Sequence, residues 1–82
     1  MKLKKNIAIS ESGFVFDPNS GDSFSMNPLG LEILTMMKDG KEQGDIFNFV
    51  LKKYDVERDT FENNYYDFIN MLRQFNLLET SR

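Results

Sequence analysis

Apolar and polar residues alternate along the first third of the chain and then change period. Ile7 and Ile9 alternate with Ala8 and Ser10, Phe14 and Phe16 flank Val15, and Phe24 and Met26 alternate with Ser23 and Ser25. A period of two marks a β-strand, whose successive side chains point to opposite faces. Ser10-Glu11-Ser12-Gly13 and Asp17-Pro18-Asn19-Ser20-Gly21-Asp22 interrupt these runs with turn formers. Connections this short join antiparallel neighbours, so the pattern predicts a three-stranded meander within about residues 7–26.

From about residue 28 to 76 the spacing becomes helical. Asn27-Pro28 reads as an N-cap followed by proline at the first helical position, where its missing N–H costs nothing. Leu29, Ile33, Leu34, Met36 and Met37 then face inward, and Gly40 closes the helix. A second helix is predicted from about Glu42 to Tyr54, with Ile46, Phe49, Val50 and Tyr54 inward. Gly44 weakens its first turn. A third begins at Asp59, with Glu62 completing a capping box, and buries a stripe of Phe61, Tyr65, Phe68, Leu72 and Phe75, with Ile69 beside it. Asn76 can take the left-handed conformation that ends this helix, returning Leu77 and Leu78 to the core. The fold class is therefore α+β and winged-helix-like: a three-stranded antiparallel sheet followed by three helices in one domain, residues 1–82.

Composition narrows the function. The chain has no His and no Cys, which removes the commonest general base, the thiol nucleophile and the usual zinc or iron–sulfur ligands. No enzyme activity, cofactor or metal is expected, and the Met36-Met37 pair reads as core filling. The eight Phe residues can supply most of a compact core. Lys2, Lys4 and Lys5 carry three of the ten basic charges, so residues 6–82 hold 7 basic against 13 acidic side chains. A duplex-binding surface needs a basic stripe, and the predicted last helix has Arg73 as its one base, so nucleic acid is not an expected partner. The basic start reads as a solvated, frayed terminus. Its apolar run is far shorter than the roughly 7–15 residues of a signal peptide, and no membrane span is present; the expected location is the cytoplasm.

Two features point to a peptide ligand. The third strand (Ser23, Phe24, Ser25, Met26) is the edge of a meander and carries no Lys, Pro or bulge to protect it. Either the N-terminal tail or a helix covers it, or it accepts an extended peptide as a fourth strand. Along the last helix, Glu62, Tyr66, Ile69 and Arg73 form a flank beside the buried stripe. Tyr66, Ile69 and Arg73 either complete the packing or wall a shallow groove for apolar peptide side chains.

The ordered landmarks resemble the PqqD family, the RiPP recognition element of peptide-modification pathways. They run through Gly13-Phe14-Val15-Phe16-Asp17, Ser20-Gly21, Phe24-Ser25-Met26-Asn27, Gly30, Ile33, Leu34 and Gly40. They continue through Ile46, Tyr54-Asp55-Val56, Phe68-Ile69, Leu72-Arg73 and Leu77-Leu78. Leu29 departs from a frequent small hydroxyl residue, Asn64 from a frequent Asp, and Asn76 from the usual Gly. The resemblance implies an adaptor that binds the leader segment of a ribosomally made precursor peptide with its third strand and third helix. It would present that peptide to a separate modifying enzyme, often a radical SAM protein. The competing reading is a winged-helix transcriptional regulator that binds DNA.

Overall fold

A computed structural model describes residues 2–79. Three strands precede three helices: β1 (Ala8–Ile9), β2 (Phe14–Asp17), β3 (Asp22–Ser25), α1 (Pro28–Lys38), α2 (Gln43–Lys53) and α3 (Arg58–Gln74). The strands form one antiparallel sheet in the order β1-β2-β3, as the alternation predicts. Val15 pairs with Phe24 on one side and Ile9 on the other, so these three share the face that meets the helices. Val15 is fully buried there. Phe14 and Phe16 take the opposite face and stay exposed. The Phe residues thus do not make most of the core: of the eight, Phe47 and Phe61 are buried, and Tyr65 and mainly aliphatic side chains supply the rest.

The helix boundaries follow local chemistry. Asn27 caps α1 by accepting a hydrogen bond from the Gly30 N–H at 2.7 Å, with Pro28 next in the chain. Gly40 follows with φ +87°, and Asn76 beyond α3 takes φ 62°, both in the left-handed region that ends helices. On α1, Ile33, Leu34 and Met37 are buried as expected, whereas Leu29 and Met36 pack at the core margin.

Two helix assignments need correcting. On α2 the inward aromatic is Phe47, not Phe49; Phe47 packs edge-on against Phe61 at 4.9 Å and Tyr65 at 5.1 Å. Helix α3 starts two residues earlier than an Asp59 cap predicts, at Arg58, with Glu57 in the N-cap position and no side-chain cap bond, so the Asp59–Glu62 capping box does not form. The favourable interaction of an Asp59 carboxylate with the first-turn N–H groups needs only that it lie in that turn, which it does.

The N-terminal segment is pinned rather than frayed. Leu3 forms an antiparallel bridge with Leu78, the Lys4 N–H donates to the Leu77 carbonyl at 2.9 Å, and the Glu79 N–H donates to the Lys2 carbonyl at 2.8 Å. Leu3 and Ile7 are buried with Leu77 and Leu78. This segment therefore closes over the end of α3, and its backbone partners lie there rather than on β3. No helix among the described residues is long and apolar enough to cross a membrane.

Candidate functional site

The open edge of β3 has a definite hydrogen-bonding parity. The Met26 N–H donates to the Gly13 carbonyl at 2.8 Å. In an antiparallel ladder, hydrogen-bonded and non-hydrogen-bonded pairs alternate. The Phe24–Val15 pair therefore stands at a hydrogen-bonded position and Ser25–Phe14 and Ser23–Phe16 do not, while at the turn the Asp17 carbonyl accepts from the Gly21 N–H at 2.8 Å and the Asp22 N–H donates to the Ser20 hydroxyl at 3.2 Å. The N–H and C=O groups of Ser23 and Ser25 consequently point away from β2, along the free edge. Two donors and two acceptors stand ready for a fourth strand.

Beside that edge lies one flank of α3. At about 100° per residue, the buried residues Phe61, Tyr65, Ile69 and Leu72 form the inner stripe of this helix. Phe68 and Phe75 fall to one side of it, and Tyr66 and Arg73 to the other. The Phe75 ring lies 4.8 Å from that of Phe24, centroid to centroid, so the Phe68–Phe75 side is the one that meets β3. Phe68 sits against Gly30 of α1: a Cβ added at Gly30 would lie 3.4 Å from the Phe68 ring and 3.1 Å from the Asn27 side-chain oxygen. Glycine there lets α1 and α3 approach closely. A cavity of about 210 Å³ opens at this junction, lined by Leu29, Gly30, Asn64 and Phe68 among others. Leu29 and Asn64, two of the family departures, thus share one pocket.

The predicted site residues divide accordingly. Ser23, Phe24, Ser25 and Met26 lie together on the edge, with Ser25 the last residue of the strand proper. Ile69 is 2% exposed and belongs to the core, so it walls no groove. Tyr66 is exposed on the far flank, where its hydroxyl meets the Gln43 side chain at 3.5 Å. Arg73 donates to the Asn70 side-chain oxygen at 3.2 Å on that same flank. The apolar neighbours of β3 are instead Phe68 and Phe75, residues that the periodicity assigns to the core. Phe75 is 46% exposed, a large apolar side chain at the rim of the cleft.

Of the perturbed groups, the Glu32 cluster lies away from this cleft, whereas Tyr65 lines the cavity between α1 and α3. Hydrogen bonds from Lys53 and Tyr54 hold the Glu32 carboxyl below its ordinary range, tying α1 to the end of α2. Burial, with Tyr66 adjacent, pushes the Tyr65 phenol up. Among the described residues no group of three or more carboxylate, imidazole or thiol side chains converges as a metal site would require. The arrangement around β3 offers backbone hydrogen bonds and apolar surface, which is the chemistry of peptide capture.

A family model described as Coenzyme PQQ synthesis protein D (PqqD) matches residues 13–78. Comparison with curated proteins finds no match. Among solved structures, TbiB1 in complex with the TbiA(beta) leader peptide is similar with a TM-score of 0.88 and 24% identity, covering 100% of this chain and 99% of that one. Lasso peptide synthetase B1 complexed with the leader peptide is similar with a TM-score of 0.79 and 22% identity, covering 98% and 96%. Both share the fold described above over 98% or more of this chain.

Proposed function

This chain belongs to the PqqD family, and we propose that it binds the leader segment of a ribosomally made precursor peptide as a strand added to β3. The observation that carries this reading is the pair of outward-facing backbone groups at Ser23 and Ser25 beside an apolar rim of part-buried Phe24 and exposed Phe75. Backbone pairing supplies affinity that depends little on sequence, and the flank of α3 selects which side chains fit. The complexes formed with leader peptides by two proteins of the same fold support the same ligand class.

The chain acts as an adaptor rather than an enzyme, holding the leader in the cytoplasm for a separate modifying enzyme, of which a radical SAM protein is one kind. A duplex-binding role finds little footing. Helix α3 sets Asp59, Glu62 and Asp67 against Arg58 and Arg73, and Arg58 lies over the Phe47 ring at 5.4 Å. Phosphates meet no basic stripe there.

The test is amide chemical-shift mapping during titration with the leader of a precursor peptide encoded beside this chain. Perturbations are expected at Ser23, Phe24, Ser25 and Met26 and along α3 at Phe68 and Phe75. Shifts confined to α1 and α2, with β3 silent, would overturn the reading.

A further inference from the structure

The register of β3 carries information about the sequence of the strand it accepts. Ser23 and Ser25 face the free edge with their backbone groups, so an antiparallel peptide forms its hydrogen-bonded pairs with those two residues. Met26, Phe24 and Asp22 then oppose peptide residues in non-hydrogen-bonded pairs. There Cα atoms approach to about 4.5 Å and side chains lie closest. These three residues share the face of the sheet that carries buried Val15. Peptide side chains opposite Met26 and Phe24 therefore enter the apolar cleft, while the one opposite Asp22 meets a carboxylate.

That carboxylate has an unusual neighbour. Asp22 pairs directly with Asp17 of β2, placing two acidic side chains on one face of adjacent strands. Directly opposed like charges destabilise a sheet. Asp17 is 4% exposed and satisfied locally, its oxygens accepting from the Asn19 N–H at 3.0 Å and the Ser20 hydroxyl at 3.2 Å. Asp22 is exposed, and among the described residues it has no ion-pair partner; the ion pair present joins Lys53 to Glu32. A cation arriving on the next strand would oppose Asp22 and offset the repulsion from Asp17.

Resting on the strand-addition reading, we propose that Asp22 is a specificity-determining residue. The accepted segment reads, from its N-terminal side, apolar–any–apolar–any–Lys or Arg, opposite Met26, Ser25, Phe24, Ser23 and Asp22 in turn. The antiparallel direction sets the order, since it places the basic residue two positions after the second apolar one. Small Ser side chains oppose the two unrestricted positions, on the outer face.

Random twelve-residue peptides displayed on phage and selected against the full chain at low salt test this. The selected peptides are expected to share the five-residue pattern. Asp22→Lys should weaken the best of them about fivefold, the upper range for one cross-strand charge pair, and strengthen its Lys-to-Glu counterpart. High salt should flatten both effects. Asp22→Asn, which removes one of two opposed carboxylates, should leave the melting temperature at least as high as that of the parent. Selected peptides that perturb the amides of Ser23 and Ser25 but lack the basic position, carry it before the apolar pair, or ignore Asp22→Lys would overturn the inference alone. Peptides that bind and leave those amides unperturbed would overturn strand addition itself.

Discussion

Ile69 and Phe75 exchange the roles that their spacing suggests. From Tyr65, a step of three reaches Phe68 and a step of four reaches Ile69, and both are apolar, so periodicity alone permits either as the inward residue. The structure buries Ile69 at 2% exposure and leaves Phe68 at the margin and Phe75 at the rim. The same ambiguity separates Phe47 from Phe49 on α2, and there Phe47 packs against the two α3 aromatics. What decides each case is the element packed above, which a single sequence does not display. A clear division of effects follows. Ile69→Ala should cost about 2–5 kcal/mol of stability by leaving a cavity, read as a lower urea midpoint. Phe75→Ala should cost far less stability and weaken the leader, measured by calorimetry, because its exposed ring faces β3. Tyr66→Ala should leave leader affinity within about twofold, as for a surface substitution away from the ligand. A Tyr66 variant that loses binding while folding normally would move the site to the other flank of α3.

At the scale of elements, turn and cap chemistry was the most legible feature. Asn27-Pro28 starts α1, Asn76 ends the last helix, and the two turn-rich segments separate the strands, because each of those residues acts on backbone within a few positions of itself. The Asp59 cap failed for the complementary reason: Glu57 could also take the N-cap position, and that slip of two residues removes the box. The edge itself was legible as an edge, but not its polarity. Alternation shows which side chains face inward, whereas the direction of backbone groups depends on the register with β2, set by the Gly13–Met26 bond. That parity makes proline a directional probe. Ser25→Pro removes an N–H that points to the free edge and leaves the β2 ladder intact, so circular dichroism should be unchanged while leader affinity falls about tenfold. Phe24→Pro removes a donor that bonds Val15 and should lower the melting temperature instead. Equal binding by Ser25→Pro and the parent chain would show that no strand adds there.

The whole molecule is small enough that its ends matter. A fold of this size buries a modest fraction of its surface, and its net stability is of the order of 5 kcal/mol. The basic run Lys2 to Lys5 carries no periodic signal, and the partners of Lys2, Leu3 and Lys4 at Glu79, Leu78 and Leu77 lie more than seventy positions away, so nothing local reveals that it is ordered. Yet Leu3 is 4% exposed, and its bridge to Leu78 joins the first and last described segments over the end of α3. This closure holds Leu77 and Leu78 in the core just beyond Phe75, the residue that contacts Phe24 of the edge strand. Stability at the ends and order at the cleft are therefore linked through α3. Leu3→Ala should remove about 2–3 kcal/mol and lower the melting temperature by roughly 10–20 °C, a large share of the total. Replacing exposed Lys2 and Lys5 by Ser should change it by only a few degrees, since the hydrogen bond at Lys2 uses its backbone carbonyl. If thermal melts show Leu3→Ala as stable as the parent, the N-terminal segment rests on the fold without holding it together.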